Sequence, residues 1–224
     1  MTGLVLTTLA WVPDFPRGYV RDLRVRWALE EAGLPYSVRT VSGKDRGAEH
    51  LARQPFGQVP ILTDGDITLF ESGAILVHLG LQTPVLMPED PKGRAEVLQW
   101  VFAAVNSVET AALPRIICDF AKDDTRTPGR EALDTYLTGR LDGMEAVLAT
   151  RDWLAGRFSI ADILMADAFR LFDGTDILAD HPACQGYVDR ATARPAFQKA
   201  LADQLAHFAA ADAQIAAPAG AIDV

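Results

Sequence analysis

Cysteine is nearly missing from this chain. Only two occur in 224 residues, Cys118 and Cys184, both in the second half, and no Cys-x-x-Cys pair exists. Exchange chemistry by a protein thiolate needs a low-pKa cysteine at a helix start, so the cysteine-free first half is excluded from it. Cys118 and Cys184 lie in apolar helical surroundings and read as small buried hydrophobes. Histidine is scarce too: His50, His78, His181 and His207 share no metal-ligand spacing, so no zinc site and no metal are expected. Positive charge is in deficit, with 21 basic against 30 acidic residues and a net charge of -9. A nucleic-acid partner wants a basic face, so none is expected. Long hydrophobic runs are also wanting: no stretch approaches the ~20 apolar residues of a membrane span. The N-terminus shows no basic-then-apolar signal pattern. No membrane association and a cytoplasmic location are the resulting expectations.

What the chain does hold is 49% apolar and 23% charged residues, ample for one large or two small cored domains. Gly3 to Leu9 reads as a strand, and Trp11 to Gly18, with two prolines, as a loop. Tyr19 to Ala32 reads as a helix stopped by Gly33 and Pro35. Tyr36 to Val41 is a second strand, which makes a right-handed βαβ unit with a parallel pair. A short helix near Ala48 to Arg53 precedes two short apolar runs, Val59 to Leu62 and Ile67 to Phe70. These flank Asp64-Gly65-Asp66, a hairpin signal, and a helix from Ser72 to Leu79 follows. Gln82 to Gly93, with Pro84, Pro88 and Pro91, reads as a linker. Beyond it only helical spacing occurs, first in Leu98, Val101, Val105, Val108 and Ala112, with Pro114 as an interruption. A second long helix covers Arg130 to Thr150. Ser159 and Asp162 form a capping pair that marks Asp162 as a folding device. Arg194-Pro195 opens a last helix, and the Ala-rich tail from Ala209 to Val224 is expected to be loosely held. The domains are therefore expected at 1–81 and 94–224, joined by a linker over 82–93.

The most informative stretch runs from Phe56 to Ile75. Proline cannot donate to a strand ladder, so Pro60 needs a special backbone state, and a cis Val59–Pro60 bond is one. Such a bend turns neighbouring main-chain groups outward, where a peptide-like ligand can pair with them. Glu71 and Ser72 stand at a helix start, beside unpaired N–H groups and the positive end of the dipole. Together these offer an acceptor for an ammonium, donors for a carboxylate and an amide edge between them. Each feature alone is commonly structural; their order and spacing favour a ligand site.

This segment resembles the glutathione-binding half of a bacterial-type cytosolic glutathione transferase, class unassigned. The likeness covers nearly the whole chain and is strongest over residues 20 to 80. It implies an α/β thioredoxin-like N-terminal domain (βαβ-ββα) followed by an all-α helical C-terminal domain. It implies that Val59 and Pro60 pair with the cysteinyl part of glutathione, that Glu71 and Ser72 hold the γ-glutamyl end, and that Gln58 meets the glycine end. Glutathione is then a co-substrate whose thiolate attacks a hydrophobic electrophile, and a detoxifying homodimer is the family expectation. The electrophile pocket is expected between Trp11 to Tyr19 and the helix around Glu109 to Phe120, with Val108, Pro114 and Ile117 among its apolar residues.

In the family a tyrosine, serine or cysteine between the first strand and helix donates to the sulfur. Here the loop from Leu9 to Gly18 is longer than common, and the count is ambiguous. Back from Arg24-Val25-Arg26, which resembles the family's first-helix core, it reaches Tyr19; forward from the strand it reaches Thr7, Thr8 or Trp11. Tyr19, Thr8 and Arg17 are the catalytic candidates, with Arg17 and Arg21 offsetting the acidic background and Gly18 freeing the backbone. Trp11 offers an indole N–H or a pocket wall. The alternatives are a non-catalytic binding or structural module of the same fold and a glutathione-dependent isomerase or dehalogenase.

Overall fold

The structure, a computed structural model, describes residues 3–216. The tail expected to be loose therefore lies outside the described residues from 217 onward. The chain forms two compact units, one of residues up to Ile75 together with those from Pro195, the other Leu76–Arg194.

In the first unit, strand β1 (Leu4–Leu9), helix α1 (Asp22–Ala32), strand β2 (Tyr36–Val41), helix α2 (Gly47–Arg53), strands β3 (Ile61–Asp64) and β4 (Ile67–Phe70) follow one another, and helix α3 (Ser72–Gly80) begins. The sheet runs β2-β1-β3-β4. β1 is parallel to β2, with Leu6 opposite Val38, and antiparallel to β3, with Leu6 opposite Leu62. The Asp64–Ile67 register closes the hairpin expected around Asp64-Gly65-Asp66. Leu6, Ile61 and Leu62 on the sheet and Leu23, Trp27 and Ala28 on α1 are buried. Gly33 ends α1 in the left-handed region at φ 63°, where a residue without Cβ is favoured.

Helix α9 (Pro195–Ala216) returns to this unit and packs along α1. Phe197 meets Trp27 edge-to-face at 4.8 Å, and Lys199 reaches Glu30 at 3.1 Å. Residues 209–216 are thus helical, a correction to the expectation of a loose tail from Ala209. A second correction concerns α1, which starts at Asp22 and not at Tyr19. Gly18 adopts φ 82°, and Tyr19 N–H turns back to Pro16 O at 2.9 Å. The Gln204 side chain engages Gly18 N–H and Val20 C=O at 3.0 Å each. Those bonds satisfy the backbone in a turn, three residues before the helix begins.

The second unit is helical. Helix α4 (Pro91–Phe102) passes through a π-helical segment (Ala103–Glu109) into α5 (Thr110–Phe120), and α6 (Pro128–Leu148), α7 (Ile160–Arg170) and α8 (Pro182–Thr192) complete it. Asp90 caps α4, accepting Gly93 N–H at 2.8 Å with Pro91 at the first helical position, so the helix takes the last three residues of the expected linker. Pro114 lies inside α5 and does not end it. The wider π turn upstream, where Thr110 Oγ1 donates to Val105 O at 2.9 Å, lets the helical ladder reorganise around the missing donor. By length and composition the run Pro91–Phe120, with a mean hydropathy of 1.3 in its most apolar window, could cross a membrane. That corrects the expectation that no stretch approaches such a span. Val97, Val101, Ala104, Val108 and Ala112 of this run are buried in the helical core.

Every residue of α7 is buried, as befits a core helix. Asp162 accepts Ser159 N–H at 2.9 Å while Ser159 Oγ accepts Ala161 N–H at 3.3 Å, the reciprocal cap that the sequence predicts. Its carboxylate also receives Leu154 N–H and the Tyr187 hydroxyl, both at 2.9 Å. Burial raises the Asp162 pKa against these donors. Cys184 is buried, and desolvation, then the Glu145 carboxylate, pushes its thiol up to about 12.

Candidate functional site

The hairpin and the start of α3 place Arg21, Gln54, Gln58, Val59, Pro60, Glu71 and Ser72 around one narrow cleft of the first unit. The Val59–Pro60 bond is cis, as its place before β3 suggests. Five of the seven residues were singled out in sequence for a ligand end; Arg21 was read only as a nearby charge, and Gln54 was missed. The enclosed free volume is about 10 Å³, no more than one water needs, so a ligand would meet these residues at the mouth of the cleft.

Each wall is held from behind. Gln54 closes α2 and accepts Phe56 N–H on its side-chain oxygen at 2.6 Å. His50 Nε2 meets Gln58 O at 2.9 Å, and Arg46 Nε donates to Gly57 O at 2.6 Å. Ser72 is buried, and its Oγ accepts from Arg24 Nη1 at 3.3 Å. Arg24, buried on α1, thus orients the hydroxyl and leaves its proton free to donate. Glu71 is exposed, with its backbone at φ 66°. A side chain rarely takes that conformation without compensation, and such residues gather at ligand sites.

The loop between β1 and α1 holds the other candidates. Thr8 is fully buried beneath it. Its hydroxyl makes no bond of good geometry, though it lies close enough to Asp22 to favour the ionised carboxylate. Arg17 is committed to Asp212 of α9, at 2.6 and 2.8 Å, and to Val12 O, at 3.0 and 3.2 Å. Trp11 donates its indole N–H to the same carboxylate at 2.6 Å. Tyr19 is 37% exposed, two residues before the cleft-lining Arg21. Beside this loop an apolar cavity of about 830 Å³ is lined by Leu9, Trp11, Val12, Pro13, Val41 and Ile215, among others. In the second unit Val108 is 2% exposed, inside the helical core, Ile117 is 62% exposed and Pro114 is half-buried. A polar hollow of about 330 Å³ where α5 meets α6 has Arg115, Arg130, Asp119 and Asp134 along it. Those charges pair with one another, which leaves little for a ligand. Among the described residues no group of histidine, cysteine and carboxylate side chains is placed to hold a metal.

Residues 16–80 match the model of the glutathione S-transferase N-terminal domain, and residues 116–195 that of the C-terminal domain. This chain belongs to the glutathione S-transferase family. Glutathione S-transferase 4 of Zea mays is 39% identical over 62% of this chain and 67% of its own length. FtsZ-localized protein A of Caulobacter vibrioides is 32% identical over 81% of this chain and 86% of its own length. A glutathione transferase from Burkholderia graminis, solved with two glutathione molecules per subunit, superposes with a TM-score of 0.74 at 27% identity, over 89% of this chain and 87% of that one. Glutathione transfer is accordingly the enzymatic class of this chain, on a thioredoxin-like unit and a helical one.

Sequence reasoning about this glutathione S-transferase missed Gln54, Gln204 and Asp212, and it used Arg24 only to align the first helix. Gln54 carries a weak signal, a polar residue closing a short helix before Pro55. Gln204 and Asp212 lie 186 and 195 residues from Gly18 and Arg17, the groups they bond. No local pattern could have found them.

Proposed function

We propose that Glu71 and Ser72 hold the γ-glutamyl end of glutathione, that the Val59 backbone ahead of Pro60 pairs with its cysteinyl unit, and that Gln58 meets its glycine end. The observation that carries this reading is the convergence of Gln58, Val59, Pro60, Glu71 and Ser72 on one cleft. The Glu71 carboxylate suits an ammonium. The Ser72 hydroxyl and the first N–H groups of α3 suit a carboxylate, and Arg21 adds positive charge in a chain of net charge -9.

Tyr19 is the donor to the glutathione sulfur. A free thiol near pKa ~8.5 is mostly protonated at neutral pH, and each unit of lowering is worth ~1.4 kcal/mol of differential interaction. The phenol, exposed just before α1, can donate to the anion. Thr8 is sealed in the core, and Arg17 is bound to Asp212, so both support the loop behind it. The thiolate attacks an electrophilic carbon, the new C–S bond forms, and the leaving group departs with its electron pair. The electrophile is hydrophobic, and the half-exposed Trp11 ring beside the donor loop offers it an apolar contact. Cytoplasmic detoxification is the setting this chemistry suits. The enzyme works as a homodimer, a reading supported by the exposure of Phe56 (69%) and Ile67 (47%) beside β4.

Ultraviolet absorbance of the bound thiolate tests the scheme. Tyr19→Phe should keep glutathione affinity and lose the thiolate signal at neutral pH; an unchanged signal would eliminate Tyr19 as donor. Ser72→Ala should weaken glutathione binding ~5-fold, about 1 kcal/mol, and normal affinity would undo the γ-glutamyl assignment. The non-catalytic reading gains interest from the relative named for FtsZ. It predicts retention on immobilised glutathione with neither thiolate signal nor turnover of an activated aryl chloride.

A further inference from the structure

We propose that Gln204 and Asp212 of α9 are positioning residues that set the loop between β1 and α1 for sulfur activation. The inference rests on the reading that this loop supplies the donor to the glutathione thiol.

The loop has little means of holding its own shape. From Ala10 to Arg21 it contains no helix or strand, and it carries Pro13, Pro16 and Gly18. Its anchors come from one face of α9. Gln204 is completely buried, and its three side-chain hydrogen bonds all go to the loop and the start of α1. Its Oε1 accepts Gly18 N–H at 3.0 Å, and its Nε2 donates to Val20 O at 3.0 Å and to Asp22 Oδ1 at 2.6 Å. The two residues that flank Tyr19 are therefore tied to a single amide. That fixes the backbone from which the phenol projects.

Residues three, four and eight further on face the same way. His207 Nε2 meets Leu9 O at 2.9 Å, where β1 gives way to the loop. Phe208 is buried, with the Arg17 guanidinium 6.0 Å from its ring centre. Asp212 receives Trp11 Nε1 at 2.6 Å and Arg17 at 2.6 and 2.8 Å, and Arg17 in turn donates to Val12 O. The carboxylate thus joins the first residues of the loop to the guanidinium next to Gly18. A side chain meant only to cement α9 onto α1 could do so helix to helix, as Phe197 and Lys199 do. Gln204 also meets Asp22 at the first position of α1, but its other bonds go to loop main chain, and those of Asp212 go to the loop side chains of Trp11 and Arg17.

Displacing a donor by a fraction of an ångström weakens it where the anion forms and leaves binding elsewhere intact. The test uses the full chain, glutathione and an activated aryl chloride. It measures the pKa of the bound thiol by thiolate absorbance, together with kcat and the KM for glutathione. Gln204→Met should raise the thiol pKa by about one unit and lower kcat ~10-fold near neutrality. The KM for glutathione should stay within about twofold, because the Glu71–Ser72 cleft is untouched. Asp212→Ala should act in the same direction to a smaller extent, and Lys199→Ala, on α9 but away from the loop, should do nothing. Folded variants with the wild-type thiol pKa and kcat would overturn the proposal. Should Gln204→Met fail to fold, Asp212→Ala decides, since Asp212 is half exposed. Tyr19→Phe separates the two readings. If it leaves the thiol pKa unaltered while the α9 variants raise it, the donor assignment falls and the positioning role stands. If Tyr19→Phe alone raises it, the positioning role falls.

Discussion

At the scale of single residues, Glu71 combines the proposed contact with the glutathione ammonium with a backbone cost. Its φ of 66° is shared, among non-glycine residues described, only by Lys122 at 52°. Such a conformation costs on the order of 1 kcal/mol for a residue with a Cβ. Glu71→Ala and Glu71→Gly both remove the carboxylate, so both should weaken glutathione binding to the same degree. The glycine variant should nevertheless be the more stable of the two by about 1 kcal/mol in denaturant unfolding. Equal stabilities would mean that the backbone is unstrained; unequal affinities would mean that the carboxylate is not what binds. Glu71, Ser72 and Pro60 were legible in the sequence because a helix start and a strand-opening proline are local signals. Arg24 was not, because its bond to Ser72 spans 48 residues and nothing at position 24 announces it.

At the scale of elements, the caps divide by where the capping group resides. Ser159 and Asp162 lie within one turn of α7, and the sequence pattern was sufficient to read them. Ser159→Ala should cost about 1 kcal/mol. Asp162→Ala should cost more, about 3 kcal/mol, because it leaves several buried donors unsatisfied at once; chemical unfolding of the two variants checks the order. Helix α8 is capped from α6, where Glu145 accepts Ala183 and Cys184 N–H at 2.9 and 3.0 Å, and no local reading finds such a cap. The start of α1 was misplaced for the same reason, since a side chain of α9 decides it. Asp212 gives this contact a pH signature. The hydrogen bond from Arg17, then that from Trp11, holds its carboxyl down at about 2. A carboxyl depressed in the folded chain contributes fully above its unfolded value near ~3.9, and the contribution is lost as pH falls through the folded value. The stability gap between the wild type and Asp212→Ala should therefore be constant above pH ~5 and close progressively towards pH ~1. A gap that persists at the acid end would show that the charge is not its source.

At the scale of the whole molecule, assembly offers the next test. Phe56 stands 69% exposed, with its ring edge-on to Phe70 at 6.3 Å, an apolar projection that an isolated chain gains little by showing to water. Light scattering should find a dimer of 24.3 kDa chains, and Phe56→Asp should shift it to monomer; an unaltered dimer would place the interface elsewhere. The sequence by itself determined the order of elements from β1 to α3, the hairpin, the cap of α7 and the placing of Pro60, Glu71 and Ser72 at a strand opening and a helix start. Each of these is written in periodicity, turn chemistry or capping over fewer than twenty residues, where backbone preference and side-chain burial act together. Only the tertiary structure decided that the last helix belongs to the first unit, that α1 opens at Asp22, and that Arg17 serves Asp212. Those outcomes depend on polar groups far apart in the chain meeting in a buried space. There an unmet donor or acceptor costs more than any local propensity can supply.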